Sequence, residues 1–421
     1  MNRSEWYSEY IINRQNGDEQ RMKLSTEQCQ QHIHALKNGV VPDQDLSYLS
    51  VGRGAVTEEF YRCLNGMKRN ESFVKFLRGP YGSGKSFMLK SFKQQALKNG
   101  FITSDIQAGH HTRFYNFESI YYSIMHHLSI KRIEGMHSSF ENIFDLWITQ
   151  KRKESNHEKV SNEIVMLMHE LNHYNSTFAR AFTAYIRARI NQNKELSQAI
   201  VSWLTGEKNV PSRLKSQFDV IGHIDKHNAV DFLRAFSRLV YLLGYKGLVI
   251  LVDELEYIMH ERSDLRQVSY DNLRYLIDQS YGGKLPHCLF VFAGTPELFD
   301  DSERGIVTHE ALNQRLGRSI ERVRVPGEAQ DMRQPVITLN PFKKEGLQHL
   351  TDRVIAIYEK AFDFTPDTSN ESIRNWTLFE LKKATSNADF SVREYITKLI
   401  EVLDLLQQHP DTLKITQELD R

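Results

Sequence analysis

The stretch Gly79-Pro80-Tyr81-Gly82-Ser83-Gly84-Lys85-Ser86 constrains the fold more than any other part of the chain. It fits the pattern G-x-x-x-x-G-K-[ST], and its flanks are what that pattern needs. Phe73-Val74-Lys75-Phe76-Leu77 before it reads as a short strand, and Phe87 to Lys93 after it opens as a helix. Strand, glycine-rich turn and helix N-terminus in succession aim backbone N–H groups at an anion, and the helix dipole adds partial positive charge. The loop predicts binding of a nucleoside triphosphate such as ATP. Lys85 would bridge the β- and γ-phosphates and Ser86 would offer its hydroxyl to Mg²⁺.

Composition sets the outer bounds. A chain of 421 residues is expected to form two or three folding units, and its 40 % hydrophobic and 25 % charged residues are ordinary for a globular protein. Cys29, Cys63 and Cys288 lie far apart with no zinc or redox spacing, which points to a reducing compartment. The start of the chain lacks the apolar region of a signal peptide, and no run approaches about 18 apolar residues, so a cytoplasmic protein without a membrane span is expected. The formal net charge of +1 supplies no global attraction to nucleic acid, so any DNA contact would come from a local patch.

A second motif completes the first. Leu248-Val249-Ile250-Leu251-Val252 is the apolar run of a parallel strand buried on both faces, and Asp253-Glu254 ends it. A carboxylate pair at such a strand end suits Asp253 to the hydrated Mg²⁺ and Glu254 to the attacking water, as general base or orienter. Further strands are expected over 112–117, 285–292 and 333–339. The strand that ends at Ala293-Gly294-Thr295 makes Thr295 the candidate sensor of the γ-phosphate. Arg315 and Arg318 follow it, where ring-forming ATPases carry an arginine finger for a neighbouring subunit; Arg304 and Arg322 stay open as alternatives, and a salt bridge is the competing reading for each. Arg393 opens the last predicted helix, where AAA+ lids present a second sensor. Arg53, after Gly52, stands where many such ATPases contact adenine, or is a plain surface arginine.

The chain then divides into an N-terminal segment (1–50, with a capped helix from Ser25 to about Asn38), an ATPase core (51–133 and 215–340), a helical insertion (134–214) and a C-terminal helical lid domain (341–421). The long interval between Ser86 and Asp253 supports the insertion. Arg180, Arg187, Arg189 and Lys194 give it a basic bias, read as a phosphate-contacting face or, with Glu154, Glu158, Glu163, Glu170 and Glu195 near in sequence, as a solvated one. The expected fold class is α/β: a P-loop NTPase of AAA+ type with a central parallel sheet flanked by helices.

The run Ala293-Gly294-Thr295-Pro296-Glu297-Leu298-Phe299-Asp300-Asp301, with Arg304-Gly305-Ile306 and Ala311-Leu312-Asn313-Gln314-Arg315-Leu316, resembles the ATP-binding proteins of BREX phage-resistance systems. Gly79–Ser86 and the strand end at Glu254 match the same family. The resemblance covers about residues 50 to 400. It implies an AAA+-like ATPase with a role in antiviral defence, beside a methyltransferase, a phosphatase-like protein and other defence proteins. Its action would be on DNA or on DNA-bound partners, and a homo-oligomer is in keeping with the class. A nucleotide-dependent switch that scaffolds a complex without hydrolysis is the competing function, and a small-molecule kinase is disfavoured by the Asp-Glu pair and the C-terminal helices.

Overall fold

The computed structural model describes residues 22–43, 45–131, 140–153, 157–317, 330–340, 342, 344–364 and 391–409. They fall into two compact units. The larger is formed by 55–80 and 84–339, the smaller by the segment up to Gly54, the tripeptide Tyr81–Ser83 and the chain from Asn340 onward.

The larger unit is built on a sheet of six strands: β1 (Phe73–Arg78), β2 (Ile102–Gln107), β3 (Leu128–Ser129), β4 (Leu248–Asp253), β5 (Cys288–Gly294) and β6 (Val336–Thr338). Their order is β3-β2-β4-β5-β1-β6, and all neighbours run parallel except β3, which is antiparallel to β2. The apolar runs read from the sequence divide between two faces by the two-residue period of a strand. Val249, Leu251, Leu289 and Val291 point to one side, where the helices Gly54–Met67 and Lys85–Lys98 pack and Phe60 stacks on Phe92 at 4.0 Å. Ile250, Val252, Phe290 and Phe292 point to the other.

That second face carries more. The helices Phe140–Lys153, Ser176–Ile190 and Lys194–Leu204 share one core with it through the helix Ala229–Leu242. Phe140 lies 5.9 Å from Phe236, and Phe178 and Trp203 lie 6.0 and 5.5 Å from Phe232, ring centre to ring centre. The helices of 140–217 therefore bury their apolar stripes in the same core as the sheet.

One local expectation changes. Residues 112–117 do not form a strand. The second strand is Ile102–Gln107, and Asn116 instead caps the helix Phe117–His126, its side chain accepting from the Glu118 N–H at 3.0 Å. The strand escapes a hydrophobicity pattern because Thr103 and Ser104 are fully buried polar residues; Ser104 Oγ meets its need by donating to the Ile124 carbonyl at 2.9 Å.

A buried cation fastens the β6 side. Lys75, in the middle of β1 and 4 % exposed, reaches Glu59 at 2.6 Å and donates to the carbonyls of Met332, Arg333 and Gln334 at 3.0, 2.9 and 3.0 Å. Arg62 grips the same Glu59 carboxylate with two nitrogens at 2.6 and 2.7 Å.

In the smaller unit the helix Thr26–Lys37 begins with a capping box between Ser25 and Gln28, and Asn38 follows at its C-cap before Gly39 at φ +67°. It packs on the helices Lys344–Phe362 and Val392–Gln408. Lys37 pairs with Asp404 at 2.7 Å, and Thr351 shares a buried hydrogen bond with Tyr395 at 2.5 Å. Residues 371–384 of the expected C-terminal helical domain lie outside the described residues. Among the described residues no helix is long and apolar enough to cross a membrane.

Candidate functional site

The parallel order brings one set of strand ends together. Arg78 pairs with Gly294 across β1 and β5, Val252 with Phe292 across β4 and β5, and Gln107 with Asp253 across β2 and β4. The loop after β1 therefore shares one edge of the sheet with Thr295, Asp253 and Glu254. Its first residue is tied to that edge directly, since Gly79 N–H donates to Gly294 O at 3.1 Å.

Two of the loop glycines are required by the backbone. Gly82 sits at φ +76° and Gly84 at φ +92°, a region costly to residues with a Cβ. Gly84 then caps the helix that begins at Lys85. The Lys85 side chain is buried and folds back on its own loop, donating to Gly79 O at 2.7 Å and Pro80 O at 3.1 Å. Ser86 is the second residue of that helix.

At the end of β4, Asp253 Oδ1 accepts from the Glu254 N–H at 2.9 Å. Glu254 adopts φ +56°, ψ +37°, an uncommon conformation for a residue with a side chain, and a 3₁₀ turn, Leu255–His260, follows. Glu254 Oε2 accepts a hydrogen bond from the side-chain amide of Gln107. Thr295 is buried and stands before the short helix Pro296–Asp300, with proline in the first turn. His110, after β2, bonds the Tyr257 hydroxyl at 2.8 Å through Nε2.

A third acid belongs to this cluster and escaped the sequence reading. Glu256 is buried, which raises its carboxyl above the usual range, while Lys85 pulls in the opposite direction and Asp253 adds to the rise. Its sequence signal is only an acid two places after Asp253-Glu254. Gln107 escaped too, because nothing local in Ile102–Gln107 announces that it will stand opposite Asp253.

The remaining candidates are distributed as follows. Arg315 donates to Asp278 at 3.1 Å, and the carbonyl of Arg304 accepts from the Tyr270 hydroxyl at 2.5 Å. Arg318 and Arg322 lie outside the described residues. In the basic segment, Arg180 pairs with Asp219 at 3.5 Å.

In the smaller unit Arg53 is held by its own surroundings: it donates to Ser83 O and to Asn340 O, both at 2.9 Å, and its guanidinium lies 4.9 Å above the Phe342 ring. Burial lowers its pKa. Tyr81–Ser83, the tip of the loop, belongs to this unit; a Cβ on Gly82 would stand 2.7 Å from Ser391 Oγ. Ser391 caps the last helix, accepting from the Glu394 N–H at 3.4 Å, and Arg393 is the second residue of that helix, with its aliphatic stem over Gly39.

The donor set fits a hydrated Mg²⁺. The Ser86 hydroxyl and the Asp253 carboxylate are hard oxygen ligands of the kind this cation takes while keeping several waters. In the larger unit the buried oxygen Glu256 Oε2 has no hydrogen-bond partner among the described residues, as befits a site that a polar ligand completes.

The chain matches the family model of the BREX system ATP-binding protein BrxC/D over residues 24–420. A comparison with curated proteins finds no match.

Proposed function

The chain belongs to the BREX system ATP-binding protein BrxC/D family, and we propose that it is the AAA+-type ATPase of such a system, hydrolysing the ATP it binds to act on DNA or on DNA-bound partner proteins. One observation carries this reading: the glycine loop with Lys85 and Ser86, the pair Asp253-Glu254 and Thr295 all stand at the same ends of parallel strands. That edge is where α/β sheets bind ligands.

In the proposed reaction a water attacks the γ-phosphate, and the protein contributes mainly by positioning and charge neutralisation. Lys85 turns from its loop carbonyls to the β- and γ-phosphates. Glu254 orients the water and receives its proton, and Thr295 contacts the γ-phosphate. Mg²⁺, when bound through Ser86 and Asp253, neutralises charge on the phosphates. Arg393 as second sensor and Arg53 as adenine contact are supported by the resemblance and by their place in the unit that carries the loop tip. Arg315, or Arg318, would act on the nucleotide of a neighbouring copy, which makes a homo-oligomer part of the proposal. A methyltransferase and a phosphatase-like protein of the same system are the proposed cytoplasmic partners.

Glu254→Gln tests the chemistry. It should keep ATP binding and abolish phosphate release. A wild type that releases no phosphate, with or without DNA, overturns hydrolysis. A second reading, a nucleotide switch that binds without turnover, is favoured by the engagement of the Glu254 carboxylate by Gln107.

A further inference from the structure

Two hydrogen bonds and a ring fix Arg53 against the tip of the phosphate loop. Its terminal nitrogens divide between two carbonyls, Nη2 donating to Ser83 O and Nη1 to Asn340 O, both at 2.9 Å. The guanidinium lies 4.9 Å from the centre of the Phe342 ring, and such a floor restricts the orientation of the planar fork. Arg53, Ser83, Asn340 and Phe342 all belong to the smaller unit. The segment that delivers Arg53 is held as well: Arg353 donates to Tyr48 O at 2.7 Å and to Ser50 O at 3.2 Å, and Gly52 turns the chain at φ +66°. Ser83 is 6 % exposed, and its hydroxyl has no hydrogen-bond partner among the described residues. Arg53 thus grips the tip by a peptide carbonyl.

The peptide from Ser83 to Gly84 is trans, and in a planar trans peptide the C=O and the N–H point in opposite directions. Holding Ser83 O toward Arg53 turns the Gly84 N–H to the other side. We propose that Arg53 is a positioning residue for the phosphate loop, presetting this peptide so that the Gly84 N–H faces the phosphates before the nucleotide arrives. The inference rests on Gly79–Ser86 being a phosphate-binding loop, and is independent of hydrolysis and of any contact between Arg53 and adenine. Without Arg53 the peptide must be ordered on binding, a cost that falls on every polyphosphate ligand, with or without a base.

The test is calorimetric titration of the full chain with a non-hydrolysable ATP analogue and with inorganic tripolyphosphate, both with Mg²⁺. Arg53→Met should weaken both ligands by the same factor, about tenfold, the order expected when a charge-assisted hydrogen bond is lost. The shared loss should persist in about 0.5 M salt, where attraction between separated charges is screened. Without ligand, hydrogen exchange over 81–86 should be faster in the variant than in the wild type.

A loss confined to the ATP analogue overturns the inference and leaves Arg53 an adenine contact. Unchanged affinities, a shared loss that vanishes in salt, exchange no faster than in the wild type, or a wild type that binds the analogue without tripolyphosphate overturn it too. A wild type that binds neither ligand sinks the phosphate-loop reading itself. If Arg53→Met does not fold, Phe342→Leu decides. With the ring gone, both ligands should weaken by a common, smaller factor; unequal or absent weakening overturns the proposal.

Discussion

Replacing Gln107 by alanine removes the side-chain amide that holds Glu254 Oε2. Gln107 ends β2 opposite Asp253, so its reach to the next residue follows from strand register and from the left-handed turn at Glu254. A hydrogen bond to a charged group contributes about 1.5–3 kcal/mol when well shielded. Both partners here reach solvent, which brings the expected value down to about 1 kcal/mol. If Glu254 must let go of that amide before it orients the attacking water, the bond raises the barrier by its own strength. The variant should then turn over ATP about fivefold faster, since about 1.4 kcal/mol corresponds to a tenfold change in rate. Affinity for ATP should stay unchanged, because the hydrogen bond that is lost goes to Glu254, outside the phosphate loop. Steady-state phosphate release at saturating ATP without DNA measures the effect. A drop in rate refutes the reasoning and makes Gln107 an aid to Glu254 rather than a restraint. An unchanged rate shows that the bond opens at no cost before the chemical step.

Lys75→Met leaves the Glu59 carboxylate buried without its buried cation and strips three carbonyls of their shared donor, so a loss of about 3–5 kcal/mol in chemical denaturation is expected, with part of it recovered in Lys75→Met/Glu59→Gln. The same network makes stability depend on acid: burial works to raise the Glu59 pKa, but hydrogen bonds from Arg62 and Lys75 prevail and hold it below the ordinary carboxylate value. Its contribution is therefore complete above the unfolded-state pKa of about 4.3 and is lost as pH falls through the lower folded value. Melting curves between about pH 3 and pH 6 should show Glu59→Gln with a flatter acid limb than the wild type. Gly82→Ala places a Cβ on a backbone at φ +76° and within 2.9 Å of Ser391 Cα. A strain of about 1–2 kcal/mol should weaken ATP binding about tenfold by titration, and an unchanged affinity would mean that the loop leaves this conformation when nucleotide binds.

What the sequence made legible is what is contiguous in it. Gly79–Ser86 carries its turn, its cation and its helix start in eight neighbouring residues, and Leu248–Glu254 carries a doubly buried strand and its two acids in seven. Both were readable because the physical demand on each position comes from residues next to it. Ile102–Gln107 was not, since Thr103 and Ser104 are buried and the partner of Ser104, the Ile124 carbonyl, lies on a helix twenty residues away. The aromatic segment 112–117 looked more like a strand, yet Asn116 had already committed it to a helix start. The residue that engages Glu254 follows the same rule. Gln107 meets Glu254 only through the β2–β4 register. A motif thus names the groups that touch phosphate and metal. The groups that restrain and align them are chosen by the sheet, from strands far apart in the chain, and a substitution there alters the timing of the chemistry without erasing its signature.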